Sequence, residues 1–249
     1  MCPILFKFGF IQIYSYGLLV ALAFLASGYL FSKRVHLLGL SEDFAWNFCA
    51  LSLFGGIIGG RLLFVLLNFG LYRDNPAEIF MLWHGGLIWY GGFIGGFLSA
   101  IGYLLIKKVS VIKVFDLIAP YLALAQAIGR IGCILNGCCY GVPAAWGFYF
   151  PASGGPLIPT QVFSSLGLVA IFCVLRFMQD RPHRAGMIFI AYLLFYSTKR
   201  FFIEFLRDDS ARAYLGLTIF QIISLSIFTA AFALWIITIL SQKRKKAGG

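Results

Sequence analysis

An all-α, polytopic membrane protein with about seven transmembrane helices is the fold class this sequence predicts. Three observations predict it. The 249 residues are 61% hydrophobic, with a mean hydropathy of +0.90, more apolar surface than a water-soluble domain of this size needs. The apolar residues gather into repeated runs of about 20, long enough to cross a hydrocarbon core of roughly 30 Å. The basic residues alternate between the ends of those runs, as membrane orientation requires. Backbone groups in lipid must be satisfied inside each segment, so the spans are helices. The dyad alternation of a membrane barrel is absent.

Seven spans are expected, at 11–32, 44–68, 86–106, 113–132, 161–179, 186–206 and 216–240. The first lacks a basic leader and a small-residue cleavage site, and reads as a retained span. The second and third carry the near-identical hexapeptides GGIIGG at 55–60 and GGFIGG at 91–96. Small residues four apart let helix backbones approach closely, and bare glycine backbone would also admit a lipid headgroup. The fourth is interrupted by Pro120, Gln126 and Arg130. The fifth opens on PTQ at 159–161, where Pro159 suits a helix start and Thr160 or Gln161 can satisfy free N–H groups. The seventh holds Gln221 within an apolar run, and both glutamines suit bonding to neighbouring helices. Nothing outside the spans is long enough for a soluble domain. The expectation is one membrane domain over 1–249, with a loop at 133–160 and a basic tail at 241–249.

The formal charge of +11 would suit nucleic acid, but its distribution argues for a membrane. Lys33, Arg34, Lys107, Lys108, Lys113, Arg176, Arg181, Arg184 and the run KRKK at 243–246 fall on one side. The opposite side receives Lys7, Arg73, Arg207 and Arg212. The positive-inside rule then places the N-terminus outside and the C-terminus inside. The basic tail faces anionic inner-leaflet lipid, and nucleic acid is not an expected partner.

Arg61, Arg130 and Arg200 interrupt apolar stretches. Arginine at bilayer depth is costly and faces a polar cavity or an anion, so an anionic ligand inside the membrane is expected. In the sixth span, Tyr196, Arg200, Glu204 and Arg207 recur at helical spacing and share one face. Arg200 and Glu204 also have the spacing to pair with each other. In GRIGCILNGCCYG at 129–141, glycines permit a tight path around Arg130. A planar guanidinium suits bidentate phosphate recognition. The loop 133–160 is rich in glycine and proline, a composition that breaks helices and serves equally a lid or a passive connector.

Six cysteines are present. Cys49 and Cys173 lie in spans and read as packing residues. Cys133, Cys138 and Cys139 match no zinc ribbon or finger by spacing, so no metal site is expected. An outer-face position permits a disulfide between Cys133 and one of the other two, and a thiol nucleophile near Arg130 is the other reading. In WHGGLIWYGG at 83–92, His84 offers a general base or an interfacial hydrogen-bonding anchor. Tyr90 follows about two turns later. Tyr16 is a polar group early in the first span, and both tyrosines also fit an aromatic belt.

Together these motifs resemble the bacterial prolipoprotein diacylglyceryl transferases, from about Tyr16 to Gln221. The matching pieces are SYGLL at 15–19, GGRLLFVL at 59–66, GG-x3-YGG at 85–92, DLIAP at 116–120, GRIGC at 129–133 with NG at 136–137, PTQ at 159–161, the face from Tyr196 to Arg207, and Gln221. The resemblance implies seven helices in the cytoplasmic (inner) membrane. It also implies transfer of a diacylglyceryl group from phosphatidylglycerol to the lipobox cysteine of a preprolipoprotein, releasing glycerol 1-phosphate, with no cofactor. It further implies that Arg130 and Arg200 hold the lipid phosphate, while Tyr16, Asn136, Gly141, Tyr196 and Glu204 shape the site. Four positions depart from the family pattern. Tyr90 replaces a histidine, Cys133 an asparagine, and Cys138 and Ser164 replace glutamates. The usual histidine base is therefore missing, and His84 or Tyr90 is expected to serve. A related transferase with another acceptor, or a non-catalytic phospholipid-binding or transport protein, are the competing readings. Phosphatidylglycerol binding without turnover would favour the latter.

Overall fold

The structure is a computed structural model that describes residues 4–8, 11–73, 75–81, 85–150, 154–207, 212–214 and 216–247. Seven long helices occur in order: α1 Ser15–Ser32, α2 Glu42–Leu67, α3 Trp89–Ile106, α4 Val111–Asn136, α5 Thr160–Gln179, α6 Met187–Glu204 and α7 Ile219–Ala247. Six are long and apolar enough to cross a membrane, and α6 falls outside that set. The sequence of α6 explains this, because Ser197, Thr198, Lys199, Arg200 and Glu204 crowd its second half. Large apolar side chains such as Leu62, Leu98, Ile106, Leu166 and Phe202 are widely exposed on the helices, as a lipid-facing surface demands.

Several ends differ from expectation. Residues 11–14 are strand rather than helix, and α4 runs on to Asn136, into the segment expected as a loop. The final helix continues through the basic run to Ala247. Three antiparallel hairpins occupy helix ends: β1 Ile4–Phe8 with β2 Ile11–Tyr14, β3 Pro143–Phe150 with β4 Gly155–Leu157, and β5 Arg212–Tyr214 with β6 Leu217–Thr218.

The chain divides into two compact units, one of 1–30 with 115–249 and one of 31–114. In the 31–114 unit, α2 starts on Ser41, whose hydroxyl accepts from Phe44 N at 3.2 Å. Glu42 and Asp43 add negative charge to that first turn. The two glycine hexapeptides meet backbone to backbone. A Cβ on Gly59 would stand 2.9 Å from Gly95 Cα, and one on Gly55 would stand 2.9 Å from Gly95 O. No side chain fits at Gly55, Gly59 or Gly95.

In the other unit, Ala119, Ala123 and Ala127 of α4 pack with Leu168, Ile171 and Leu175 of α5 and with Ile188, Ala191 and Tyr192 of α6. Pro120 does not break α4. A proline cannot donate to the carbonyl four residues back, and here Gln179 Nε2 donates to that Asp116 carbonyl and to Leu117 O, each at 2.9 Å. The Asp116 carboxylate accepts from Gly186 N and, at 2.8 Å, from Phe189 N, so α4 caps the start of α6. Gln126 Nε2 donates to the Tyr192 hydroxyl at 2.8 Å.

Candidate active site

The site residues gather where α4 and α6 end. Arg130 lies one turn before Cys133 on α4, and Asn136 is the exposed last residue of that helix. The chain then turns sharply. Gly137 (φ 72°) and Cys139 (φ 63°) are both left-handed, and Cys138 N donates to Cys133 O at 3.1 Å. The start of α5 fastens this turn. Thr160 Oγ1 donates to Cys139 O and the buried Gln161 Nε2 donates to Cys138 O, each at 2.6 Å.

Gly141 joins the turn to the end of α6. It bridges to Arg207, and Val142 N donates to Leu206 O at 3.0 Å. A Cβ on Gly141 would collide with Leu206 O and come within 2.8 Å of Thr160 Cγ2. Only glycine allows this approach. Arg207 therefore reaches the site from a strand-like bridge beyond the end of α6, not from the helix face its spacing predicts.

On α6, Arg200 Nη1 lies 2.9 Å from Glu204 Oε2, and the guanidinium stacks over Phe220 at 4.7 Å. Glu204 is 2% exposed, and its other oxygen accepts from Thr218 Oγ1 at 3.1 Å. Thr218 and Gln221 cap α7 reciprocally. Thr218 N donates to Gln221 Oε1 at 2.9 Å, and Gln221 N donates to Thr218 Oγ1 at 3.2 Å. This is a capping box, so Gln221 serves its own helix rather than a neighbouring one.

Lys199 was not singled out in the sequence, yet it belongs here. Its ammonium donates to Ser164 Oγ at 3.1 Å and lies 4.8 Å over the Tyr196 ring. Ser164 is the position where the family pattern expects a glutamate, and that departure was the signal available. Arg130, Lys199, Arg200 and Arg207 act electrostatically on one another or on shared neighbours. Glu204 is the carboxylate that pairs with Arg200. Among the described residues Arg130 has neither a carboxylate nor a carbonyl partner. Tyr16 is 46% exposed and within electrostatic reach of Arg130 and the three thiols. Its ring edge would stand 3.2 Å from a Cβ on Gly132. The Cys133, Cys138 and Cys139 thiols are free. Thiol hydrogen bonds within the trio, then the charges of Arg207 and Arg130, hold Cys139 below the ordinary thiol range.

Arg61 is occupied differently. In the 31–114 unit it is 7% exposed. Nε donates to Ile79 O at 2.9 Å, Nη1 to Gly85 O and to Gly86 O at 3.2 Å, and Nη2 to Glu78 O and to Met81 O at 3.3 Å. These bonds use all five guanidinium donors. The side chain also stacks against Tyr72 at 5.4 Å and Phe64 at 5.8 Å. Tyr90 lies in the same unit on the first turn of α3, 46% exposed and edge-on to Trp89. His84 lies outside the described residues.

The family model described as prolipoprotein diacylglyceryl transferase matches residues 3–237. A phosphatidylglycerol–prolipoprotein diacylglyceryl transferase 2 of Clostridium perfringens is 37% identical over 245 residues, covering 96% of this chain and 95% of the relative. The phosphatidylglycerol–prolipoprotein diacylglyceryl transferase of Clostridium tetani is 35% identical, covering 96% and 98%. That of Enterococcus faecalis is 34% identical, covering 94% and 89%. With two arginines, a buried carboxylate and a glycine-pinned turn converging at the positions the motifs mark, the chain belongs to the prolipoprotein diacylglyceryl transferase family.

Proposed function

We propose that this protein transfers a diacylglyceryl group from phosphatidylglycerol to the lipobox cysteine thiol of a preprolipoprotein, within the bacterial cytoplasmic membrane. The acceptor sulfur attacks the glyceryl carbon that bears the phosphate. A C–S bond forms, the C–O bond breaks, and glycerol 1-phosphate departs. The observation that carries this reading is the cationic cluster of Arg130, Lys199, Arg200 and Arg207, in which Arg200 is held by Glu204. Such a cluster favours an anion whose charge grows as the phosphate leaves.

In this reading Arg130 and Arg200 contact the phosphate, and Lys199 and Arg207 add to the field around it. Glu204 acts as a positioning residue, because both of its oxygens are engaged. Tyr16, Asn136, Tyr196 and Gly141 shape the lipid's surroundings, and Gln161 holds the turn. Arg61 fastens the carbonyls of Glu78, Ile79, Met81, Gly85 and Gly86 instead of touching lipid. Tyr90 and His84 remain the protein's own options for a base. The N-terminus lies outside and the C-terminus inside, with α6 as a seventh span whose polar face is turned to the site.

The test is transfer from radiolabelled phosphatidylglycerol to a lipobox peptide by the purified chain, with Arg130→Ala as control. Turnover that the control loses supports the reading. Lipid binding without turnover on any lipobox peptide overturns it in favour of another acceptor or a non-catalytic lipid protein.

A further inference from the structure

The three thiols at the end of α4 offer chemistry that the arginine cluster does not use. The sulfurs of Cys133, Cys138 and Cys139 all lie within 4.8 Å of one another. A disulfide needs two thiols, and here a third converges on the same point. Three sulfurs around one zinc ion, each at about 2.3 Å from it, stand roughly 3.8–4.0 Å apart. The present arrangement therefore needs only a small contraction.

The backbone is committed to this convergence. Cys139 holds a left-handed φ of 63°, a conformation that costs a non-glycine residue on the order of 1 kcal/mol or more. Thr160 and Gln161 clamp the carbonyls of Cys139 and Cys138.

The chemistry of the donor set selects the ion. Thiolates favour zinc or copper(I) over magnesium or calcium. Zinc with three thiolates carries one net negative charge, and the charges of Arg130 and Arg207 act on Cys139 of this trio. Three protein ligands leave the fourth tetrahedral position open, the pattern of catalytic rather than structural zinc.

We propose that Cys133, Cys138 and Cys139 bind one Zn2+ ion whose fourth position takes the acceptor cysteine thiol and presents it as a thiolate. The role in transfer rests on the transferase reading above. A thiol that coordinates zinc is deprotonated outright, which supplies what the family's histidine would supply at the position of Tyr90. On coordination the acceptor S–H gives its proton to water. The sulfur pair then forms the C–S bond, and the C–O pair leaves on the phosphate oxygen. Arg130 stands three residues before Cys133, about one helical turn away, so the group that holds the phosphate neighbours the sulfurs.

The test uses the full chain in detergent with a thiol-free reductant. Metal content is measured as purified, after chelation, and after adding back zinc alone, with cadmium–thiolate absorption as a reporter of sulfur ligation. About one zinc per chain is expected, lost in Cys133→Ser and Cys139→Ser and kept in Cys173→Ser, whose thiol is exposed on α5. Transfer should fall at least about tenfold on chelation and return with zinc. The chelation and add-back arms use the unaltered chain, so a misfolded serine variant does not affect them. Absence of stoichiometric zinc, or a Cys133–Cys139 disulfide in its place, overturns the site while intact transfer leaves the transferase reading standing. Stoichiometric zinc with chelator-insensitive transfer overturns the thiol-activating role. Stoichiometric zinc without transfer under any condition overturns the transferase reading and that role together, leaving the metal site.

Discussion

Arg200 and Glu204 form a buried ion pair, 2.9 Å apart, in which the carboxylate is spent on orienting the guanidinium. Glu204→Gln keeps an acceptor for Thr218 but releases the charge on Arg200. Misplacement of a positioned group by about 1 Å can cost on the order of 10²-fold, and a loss of that size in thioether formation is expected, with a smaller fall in melting temperature than Glu204→Ala brings because the amide oxygen and nitrogen keep polar partners. Glu204→Ala leaves a buried cation unpaired and should cost about 3–5 kcal/mol of stability. Full activity in Glu204→Gln would remove the positioning role.

Arg61 and Arg130 should separate cleanly. Arg61→Lys offers three donors where five carbonyls are held, and a loss of about 2–4 kcal/mol is expected. Arg130→Lys should leave the melting temperature in place and weaken phosphatidylglycerol binding, because a lysine cannot form the bidentate contact. Melting curves and lipid titrations on both variants check this. The reverse pattern would sink it.

Gly141→Ala drives a methyl group into the Leu206 carbonyl. The bridge to Arg207 must open, at an expected cost of about 1–3 kcal/mol. Lipid affinity should fall with it, since Arg207 is displaced. An alanine variant with unchanged melting and affinity would show that the close approach is dispensable.

Gln179 and Pro120 should be energetically coupled. Gln179→Leu strands the Asp116 carbonyl, at an expected cost of about 1–3 kcal/mol. In a Pro120→Ala background the restored N–H reaches that carbonyl, and the same change should cost about half as much. A double-mutant cycle by denaturant melting reads the difference, and equal costs in both backgrounds would refute the account.

Local spacing was the readable part of this chain. The apolar runs gave the helices, the twin glycine hexapeptides gave the α2–α3 contact, and the interval of four gave the Arg200–Glu204 pair. What spacing could not show was long-range occupation. Arg61 is filled by carbonyls 17 to 25 residues away, and carbonyls leave no mark in a sequence. Lys199 meets Ser164 across 35 positions. The convergence of Cys138 and Cys139 on Cys133 depends on two left-handed residues that no motif announced. Gln221 was legible in principle, because Thr218 three residues earlier completes a capping box, yet its apolar setting argued for an interhelical role.

The contact between Gly59 and Gly95 sets two demands on the same residues that pull in opposite directions. Insertion into a bilayer rewards every added methyl group, so leucine at either position would make its segment a better span. The paired hairpin tolerates no added volume there. Such a variant would enter the bilayer readily and arrive there as two helices that can no longer close on each other. Quality control that senses only insertion would pass it.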